Sequence, residues 1–459
     1  MNKMKFKKIF SLMLATLMIG GCFGISSCGG SEDGSSSTDT TTNSGSTGDS
    51  SGGDASDDTT NNDDYSGNGI GIIKKPIVKE LDVEIERQAL FAGFDTNTLF
   101  YKDGGDVWTD GENVWASWGM SKLGESDVAG DYQISTSTNA GETFLQPQTY
   151  SPYGYLEGNI NYTYGGCTSC YSKKYDVGFS VGVMGQTAVG SAASSFIREP
   201  AYILRDSETQ AYSNEKPKKL PFPFESPSVA PHGQPIEFEN GDFLLTFYYT
   251  EQAERELYKS VAILYSFDGN ELKIKRVGTP IGNDNLQRGL YEPSIAKLDN
   301  TYYMTLRSNE KAMIAWSHDG LNYSEPIDFT FDNGVKIGSV NTQQRWIRHK
   351  DGLFLVYTSV RDDNDNVRLN RAPLFMARFD QTKKCLIKET ESVLIPNRGA
   401  SLATMIGVCE VADNVSYIVA AECMISASYP YTNWWEVMQN GADNSVWIVK
   451  IMSTLVEGE

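Results

Sequence analysis

The sequence predicts an all-β protein, on three observations. Short runs rich in aromatic and β-branched residues recur along the chain: DFLLTFYYT from Asp242, TYYMTLRS from Thr301, LFLVYTSV from Leu353 and YIVAAEC from Tyr417. Each is flanked by Gly, Asn or Asp, which favour turns, so each reads as a strand. Long stretches of helical periodicity are missing. The third observation is a bend that repeats after apolar runs, as STNAGETF from Ser137, SFDGNEL from Ser266 and SHDGLNY from Ser317. Many short strands with evenly spaced turns fit a sandwich, a barrel or a propeller.

The chain begins with Lys3, Lys5, Lys7 and Lys8, followed by an apolar run from Ile9 to about Ile25. A basic start and a short apolar core read as an export signal rather than a spanning helix. IGGC ends at Cys22 and ISSC at Cys28, and both resemble a bacterial lipobox, whose cysteine takes the lipid. Cys28 is preferred because Glu32 and Asp33 follow it, similar to the surface-export tag of Bacteroidetes lipoproteins; Cys22 is the alternative. Residues 1–28 are therefore assigned to the signal and lipobox, and residues 29–70 to an acidic Ser/Thr/Gly/Asp tether. The tether lacks the apolar surface needed to offset ordering entropy. Residues 71–459 are expected to form one β domain, exported and held at the outer membrane, on the cell surface, by the lipid alone.

The chain carries 59 acidic against 39 basic residues, a formal charge of −20. That balance argues against nucleic acid or an anionic membrane as a partner. Cys167 and Cys170, in GGCTSCYS, leave open a local disulfide, whereas a zinc site would need a second pair or nearby histidines. No metal or cofactor is expected. The acidic run RDDNDN from Arg361 lacks the Gly and closing Glu of a calcium loop and reads as a solvated hairpin tip. A monomer is expected.

Ser317, His318 and Asp319 are the residue types of a hydrolytic triad, but consecutive side chains diverge and cannot line up. Their chemistry is that of a turn: Ser or Asp accepts backbone N–H groups, Gly supplies positive φ and the next apolar residue packs beneath. The bends Ser137-Asn139-Gly141, Ser266-Asp268 and Ser317-Asp319-Gly320 resemble the Asp-box (BNR) repeats of the sialidase superfamily. That resemblance implies a β-propeller whose Asp-boxes join the outer two strands of a blade, away from the active face. Repeats of about forty to sixty residues suit four-stranded blades. Six blades are expected, at 106–150, 175–215, 232–280, 290–332, 339–390 and 400–452, with 72–100 supplying a strand that closes the ring; five or seven blades are the alternatives. A second resemblance covers the C-terminal half. GLYEPSIAKLDNTYYMTLRS, VNTQQRWIRHKDGLFLVYTS and NRAPLFMARFD are similar to a bacterial sialidase-like group with histidines where Arg345, Asn366 and Asn370 stand here. Loss of those histidines implies an altered or inactive member if they act in catalysis.

A propeller gathers the starts of its innermost strands on the axis, so polar groups opening apolar runs are the site candidates. Four such starts occur: Arg198 in REPAYIL, His232 in HGQPIEF, Tyr291-Glu292 in YEPSIAKL and Asn341 in NTQQRWI. Glu292 is expected as a general acid/base or as the partner orienting an arginine. Arg307, Arg345 and Arg371 are expected to bind a sugar carboxylate by paired hydrogen bonds. Arg198 is the weaker clamp candidate, since Glu199 beside it suggests a local ion pair. His232 is the histidine placed for acid/base work, whereas His349 reads as exposed. Tyr291 offers a sugar-stacking face, Tyr357 the phenolate nucleophile that the resemblance implies, and Asn341 a substrate contact. Two functions compete: a sialidase-like glycoside hydrolase acting on extracellular acidic or complex glycans, and a non-catalytic glycan-binding lipoprotein on the same scaffold.

Overall fold

The computed structural model describes residues 72–78, 83–92, 100–122, 129–188, 197–213, 215–252, 257–337, 343–349, 352–402, 405–428 and 433–453. The expectations for Cys22, Cys28, the tether and Asn341 lie outside them. Described in chain order, β1 (Ile72–Val78) and β2 (Val83–Phe91) are followed by a four-stranded sheet of β3 (Phe100–Thr109), β4 (Val114–Lys122), β5 (Ala129–Ser137) and β6 (Gln148–Tyr150). Then come β7 (Gly154–Glu157), β8 (Ile160–Ser172), β9 (Val177–Ala188), β10 (Ile197–Leu204) and β11 (Lys218–Lys219). β12 (Ser228–Glu237), β13 (Phe243–Thr250), β14 (Tyr258–Phe267) and β15 (Leu272–Val277) continue the same sheet. A single parallel pair, Arg198 with Ser228, joins its two halves.

The next sheet is β16 (Tyr291–Leu298), β17 (Thr301–Arg307), β18 (Met313–Ser317) and β19 (Ile327–Asp328). β20 (Arg345–His349), β21 (Gly352–Tyr357), β22 (Leu374–Asp380), β23 (Cys385–Leu386) and β24 (Ser392–Ile395) form another. β25 (Gly407–Ala412), β26 (Val415–Ala421), the short helix α1 (Trp434–Gln439) and β27 (Val446–Ser453) end the described chain. The last sheet has the order β1-β2-β27-β26-β25, so the strand expected from 72–100 does pair with the C-terminal strand. The fold is nearly all-β, and among the described residues no sheet closes on itself. Among the described residues no helix is long and apolar enough to cross a membrane.

The first strands of successive units touch one another in a circuit: β3 meets β8, then β12, β16, β20 and β25 follow, and β25 returns to β3. Adjacent sheets bury their apolar faces against each other. Val356, Leu374 and Met376 pack with Val449 and Ile451, while Tyr303 and Phe329 pack with Trp346 and Phe379. These aromatic and aliphatic strands are buried on both faces, which explains why their sequences read as near-continuous apolar runs.

The bends join the outer strands as expected. Gly320 N–H donates to Ser317 Oγ at 3.0 Å, and Leu321 and Asn322 N–H donate to Asp319 Oδ1, each at 2.8 Å. Gly141 N–H donates to Ser137 Oγ at 2.9 Å and Thr143 N–H to Asn139 Oδ1 at 3.0 Å. Asp268 Oδ1 accepts from Asn270 and Glu271, whereas Ser266 Oγ turns to Lys273 O at 3.4 Å. Burial pushes the Asp319 carboxyl up, but the N–H groups of Asn322 and Leu321 outweigh it and hold it well below the usual range. Its bonds therefore stabilise the fold above about pH 4 and are lost as pH falls further. Asp319→Ala is expected to destabilise by about 1–2 kcal/mol at neutral pH, measured by denaturant unfolding, and by less at pH 3.

Three sequence expectations are corrected, and the open question of Cys167 and Cys170 is answered. The second unit begins at β7–β8, well before 175, and GGCTSCYS lies within β8. Cys167 and Cys170 are free thiols: Cys167 packs with Tyr248, Tyr258 and Tyr291, and Cys170 joins the Phe179 and Phe247 core. His349 is buried, edge-on to Phe354, and pairs with Gly352 of β21. In RDDNDN, Asn364 is buried rather than solvated, its amide donating to Ser359 O at 2.9 Å and Ala372 O at 2.8 Å.

Candidate functional site

Four of the first strands carry a β-bulge at a similar place: Asp103–Asp106 in β3, Gly166–Thr168 in β8, His232–Ile236 in β12 and Tyr291–Ser294 in β16. A bulge bends its strand and re-aims a side chain, and bulges concentrate beside functional sites. Asp106, Cys167, His232 and Glu292 sit at these four places, and they act electrostatically on one another or on shared partners. Glu292 adopts φ +47°, a conformation that non-glycine residues rarely hold and that clusters at active sites. Gly233 at φ +80° follows His232; a Cβ there would lie 2.7 Å from Pro293 O, so only glycine permits this approach of β12 to β16.

Glu292 and Arg307 form a buried ion pair, their side chains 3% and 1% exposed. Register explains it: Tyr291 pairs with Arg307, and the bulge turns Glu292 towards the end of β17. Burial pushes the Glu292 carboxyl up, but Arg307, and more weakly Arg371, bring it below the usual carboxylate value. Glu292 is thus ionised at neutral pH and orients Arg307. In that state it has no proton to give, and it remains available as a base or as the partner orienting Arg307.

Arg345 points inward. Its Nε donates to Ile406 O at 3.0 Å and its Nη2 to Gln343 Oε1 at 3.4 Å. Its Nη1 lies 3.0 Å from His232 Nδ1, which is also 3.2 Å from Pro293 O. A guanidinium only donates and a carbonyl only accepts, so the ring stands between a donor and an acceptor, with Nη1 also 3.4 Å from Nε2. Burial, and next the Arg345 charge, lower the His232 pKa to about 3. His232 is therefore neutral at neutral pH, no proton donor in that state, and its ring lies against Arg345. Burial lowers Arg345 to about 10, so it remains a cation at neutral pH. Arg371 is buried and acts on both Glu292 and Tyr291.

Two aromatic expectations are also corrected. Tyr291 is 1% exposed; Arg307 and Arg288 stand 4.7 and 4.8 Å from its ring centre and its hydroxyl donates to Asn309, so no stacking face is open. Tyr357 lies apart, among Phe331 and Phe375, donating to Glu391 Oε1 at 2.5 Å. Burial, then Glu391, push its phenol well above the ordinary value, the opposite of what a phenolate nucleophile needs. The residues in place of the resemblance's histidines divide: Arg345 joins the cluster, whereas Asn370 bonds Asn364 Oδ1 at 2.9 Å and Asn366 Oδ1 accepts from Asn397 at 3.0 Å.

Sequence reasoning missed Asp106. Burial raises its carboxyl pKa, with Arg205, Ser169 and Arg345 only partly opposing. Arg205 lies 4.0 Å from it and is held 3.9 Å from the Trp108 ring and 4.9 Å from the Tyr212 ring. The signal was DGGDVW: paired glycines inside a strand run mark a bulge or a close backbone approach. A Cβ on Gly105 would lie 2.5 Å from Val419 O. Arg198 bonds Ser228 Oγ at 3.0 Å rather than Glu199, and acts on Cys167 and Tyr248. The centre therefore holds two carboxyl groups of opposite tendency, Glu292 and Asp106, among Arg198, Arg307, Arg345 and Arg371. Such a surplus of cations suits an anionic ligand.

A separate cavity of 390 Å³ lies beyond, at the later residues of the same first strands, including Trp108, Glu237, Lys297, Arg348 and Glu410. A belt formed by Gln234, which accepts from Ser294 at 3.2 Å and donates to Trp346 O, lies between these residues and the cluster along β12. Among the described residues no group of three or more His, Cys, Asp or Glu side chains could hold a metal ion.

No family model matches the sequence, and no curated protein matches it. Solved structures do match. A protein of unknown function from Dyadobacter fermentans aligns with TM-score 0.52 at 13% identity, over 79% of this chain and 97% of that one. The NanB sialidase from Streptococcus pneumoniae, as its K499G mutant, aligns with TM-score 0.54 at 12% identity, over 82% of this chain and 71% of that one. The same sialidase in complex with 2-[(3-chlorobenzyl)ammonio]ethanesulfonate aligns equally well. At these identities the likeness concerns the fold, and the fold of this chain is sialidase-like.

Proposed function

We propose that the protein is a six-bladed, sialidase-like propeller that hydrolyses extracellular acidic glycans. The circuit of first strands β3, β8, β12, β16, β20 and β25 supports six blades. The observation that carries the function is the gathering of Arg307, Arg345 and Arg371 around Glu292 with Asp106 nearby. Arginines recognise a sugar carboxylate through two parallel N–H groups. Glycoside hydrolysis needs one carboxylic acid to protonate the leaving oxygen and one carboxylate to act on the opposite side of the sugar. Asp106, with its raised pKa, suits the acid, and Glu292, held ionised, suits the second role or the placement of Arg307. Burial raises the phenols of Tyr248 and Tyr291, so the two carboxyl groups are better supported than a phenolate nucleophile.

Assayed on sialyl, uronyl and rhamnosyl glycans, the wild type is expected to release sugar from an acidic substrate, and Glu292→Gln to release much less. Binding without turnover, unchanged in Glu292→Gln, would instead favour a glycan-binding protein without catalysis. We further propose export with a lipid on Cys28, supported by Lys3, Lys5, Lys7 and Lys8 ahead of the apolar run and by Glu32 and Asp33 after the cysteine. The protein would then act as a monomer at the outer membrane, with membrane contact through the lipid alone.

A further inference from the structure

A cavity of 240 Å³ opens away from the axis, between the β7–β8 hairpin and the segment from Lys216 to Lys219. Tyr155 and Tyr162 are cross-strand partners in that hairpin, their rings stacked with centres 4.6 Å apart and planes within 1°. Gln186 stands opposite Tyr162 on β9, which puts it on the same face of the sheet. Across the cavity are Glu199, Lys216 and Lys219, with the Lys216 ammonium 5.8 Å from the Tyr155 ring centre. Arg198 and Glu199 are neighbours on β10, so their side chains leave on opposite faces. Arg198 turns to Ser228 and the axial groups, while Glu199 lines this cavity.

A cross-strand aromatic pair alone would explain a stable hairpin. It would not explain why the side chains of Gln186, Glu199 and Lys219, uncommitted to any hydrogen bond or ion pair among the described residues, surround the same hollow. An aromatic wall with a few convergent, unspent polar groups is the makeup of a small-molecule site. A flat ring bearing C–H groups on one face and hydroxyls at its edge matches it. Its C–H face covers a tyrosine, hydroxyls donate to Glu199 and accept from Gln186, and a carboxylate meets Lys216 and Lys219.

We propose that this cavity is a second glycan subsite, which takes an anionic sugar unit of a longer chain whose end enters the axial cluster. The proposal rests on the glycan-acting reading above, but its test reads a different quantity. Calorimetry on the full chain compares N-acetylneuraminic acid with its tetramer, galacturonic acid with its tetramer, and maltotetraose as a neutral control. One acidic tetramer is expected to bind about tenfold or more tighter than its monomer, as about 1.4 kcal/mol of added contact gives. The double variant Tyr155→Ala/Tyr162→Ala is expected to abolish that gain and leave monomer binding unchanged. Lys216→Gln/Lys219→Gln, both exposed and harmless to folding, is expected to reduce the gain for the acidic tetramer as well. The proposal is overturned if no acidic tetramer binds, if tetramer and monomer bind equally, or if the gain survives both double variants. Failure of the axial reading looks different: monomer binding would then be indifferent to Arg345→Ala, whatever the tyrosine variants do.

Discussion

Arg307→Ala is expected to destabilise the protein by about 3–5 kcal/mol, among the largest effects available to a single substitution here. Both partners of the Glu292–Arg307 pair are almost completely buried, so removing Arg307 leaves Glu292 without water and without its directly bonded counter-ion. Arg371 acts on Glu292 more weakly than Arg307 does and does not replace its direct hydrogen bond. The cation above Tyr291 is lost as well. Urea unfolding at pH 7 measures the effect. The double variant Arg307→Met/Glu292→Gln is expected to be less damaged than Arg307→Ala alone, because no isolated charge remains.

The pH dependence carries its own sign. In the wild type the folded pKa of Glu292 lies below the ordinary 4.5, so the pair stabilises the fold fully above that value and the benefit is lost as pH falls through the lower folded pKa. In Arg307→Ala, burial becomes the leading influence and raises the folded pKa. The variant is therefore expected to become relatively more stable as pH drops from 7 to 5, where the wild type gains nothing from this group. A parallel pH dependence in the two proteins would mean that Glu292 keeps another strong partner.

The second large effect concerns turnover. Asp106→Asn is expected to lower kcat by about 10²–10⁴-fold on an acidic glycan, the usual contribution of a positioned general acid. KM should change little, because the arginines that hold the carboxylate are untouched. A leaving group that departs without protonation bypasses the acid, so an aryl glycoside of the same sugar is expected to recover much of the lost rate in the variant. Glu292→Gln should behave differently, raising KM and lowering kcat together as Arg307 loses its orientation. If aryl and natural substrates suffer equally in Asp106→Asn, the residue holds Arg205 and the β3 bulge in place and donates no proton.

Much of this architecture was legible in the sequence because its signals are local. The bends at Ser137, Ser266 and Ser317 are side chain-to-backbone motifs that a few neighbouring residues dictate, and so are the apolar strand runs. Glu292, Arg307, Arg345 and Arg371 could be singled out because charged groups at the ends of strand patterns must be paired or solvated. What could not be read were the consequences of bulges. Asp106 turns inward because Gly104 and Gly105 bend β3 against Val419, a contact more than three hundred residues away in the chain. Tyr357 and Tyr291 failed for a related reason: a tyrosine in a strand run looks the same whether its ring borders a pocket or is packed beneath guanidinium groups. The setting of His232 depends on Arg345, one hundred and thirteen positions distant, and only the fold reveals that the guanidinium lies 3.0 Å from its ring.

A structure of the protein with sialyllactose bound would test the central claim most directly. The account predicts the sugar carboxylate against Arg345 and Arg371, with the glycosidic oxygen within hydrogen-bond reach of Asp106. A sugar seated away from these arginines, or a carboxylate left facing solvent, would contradict it.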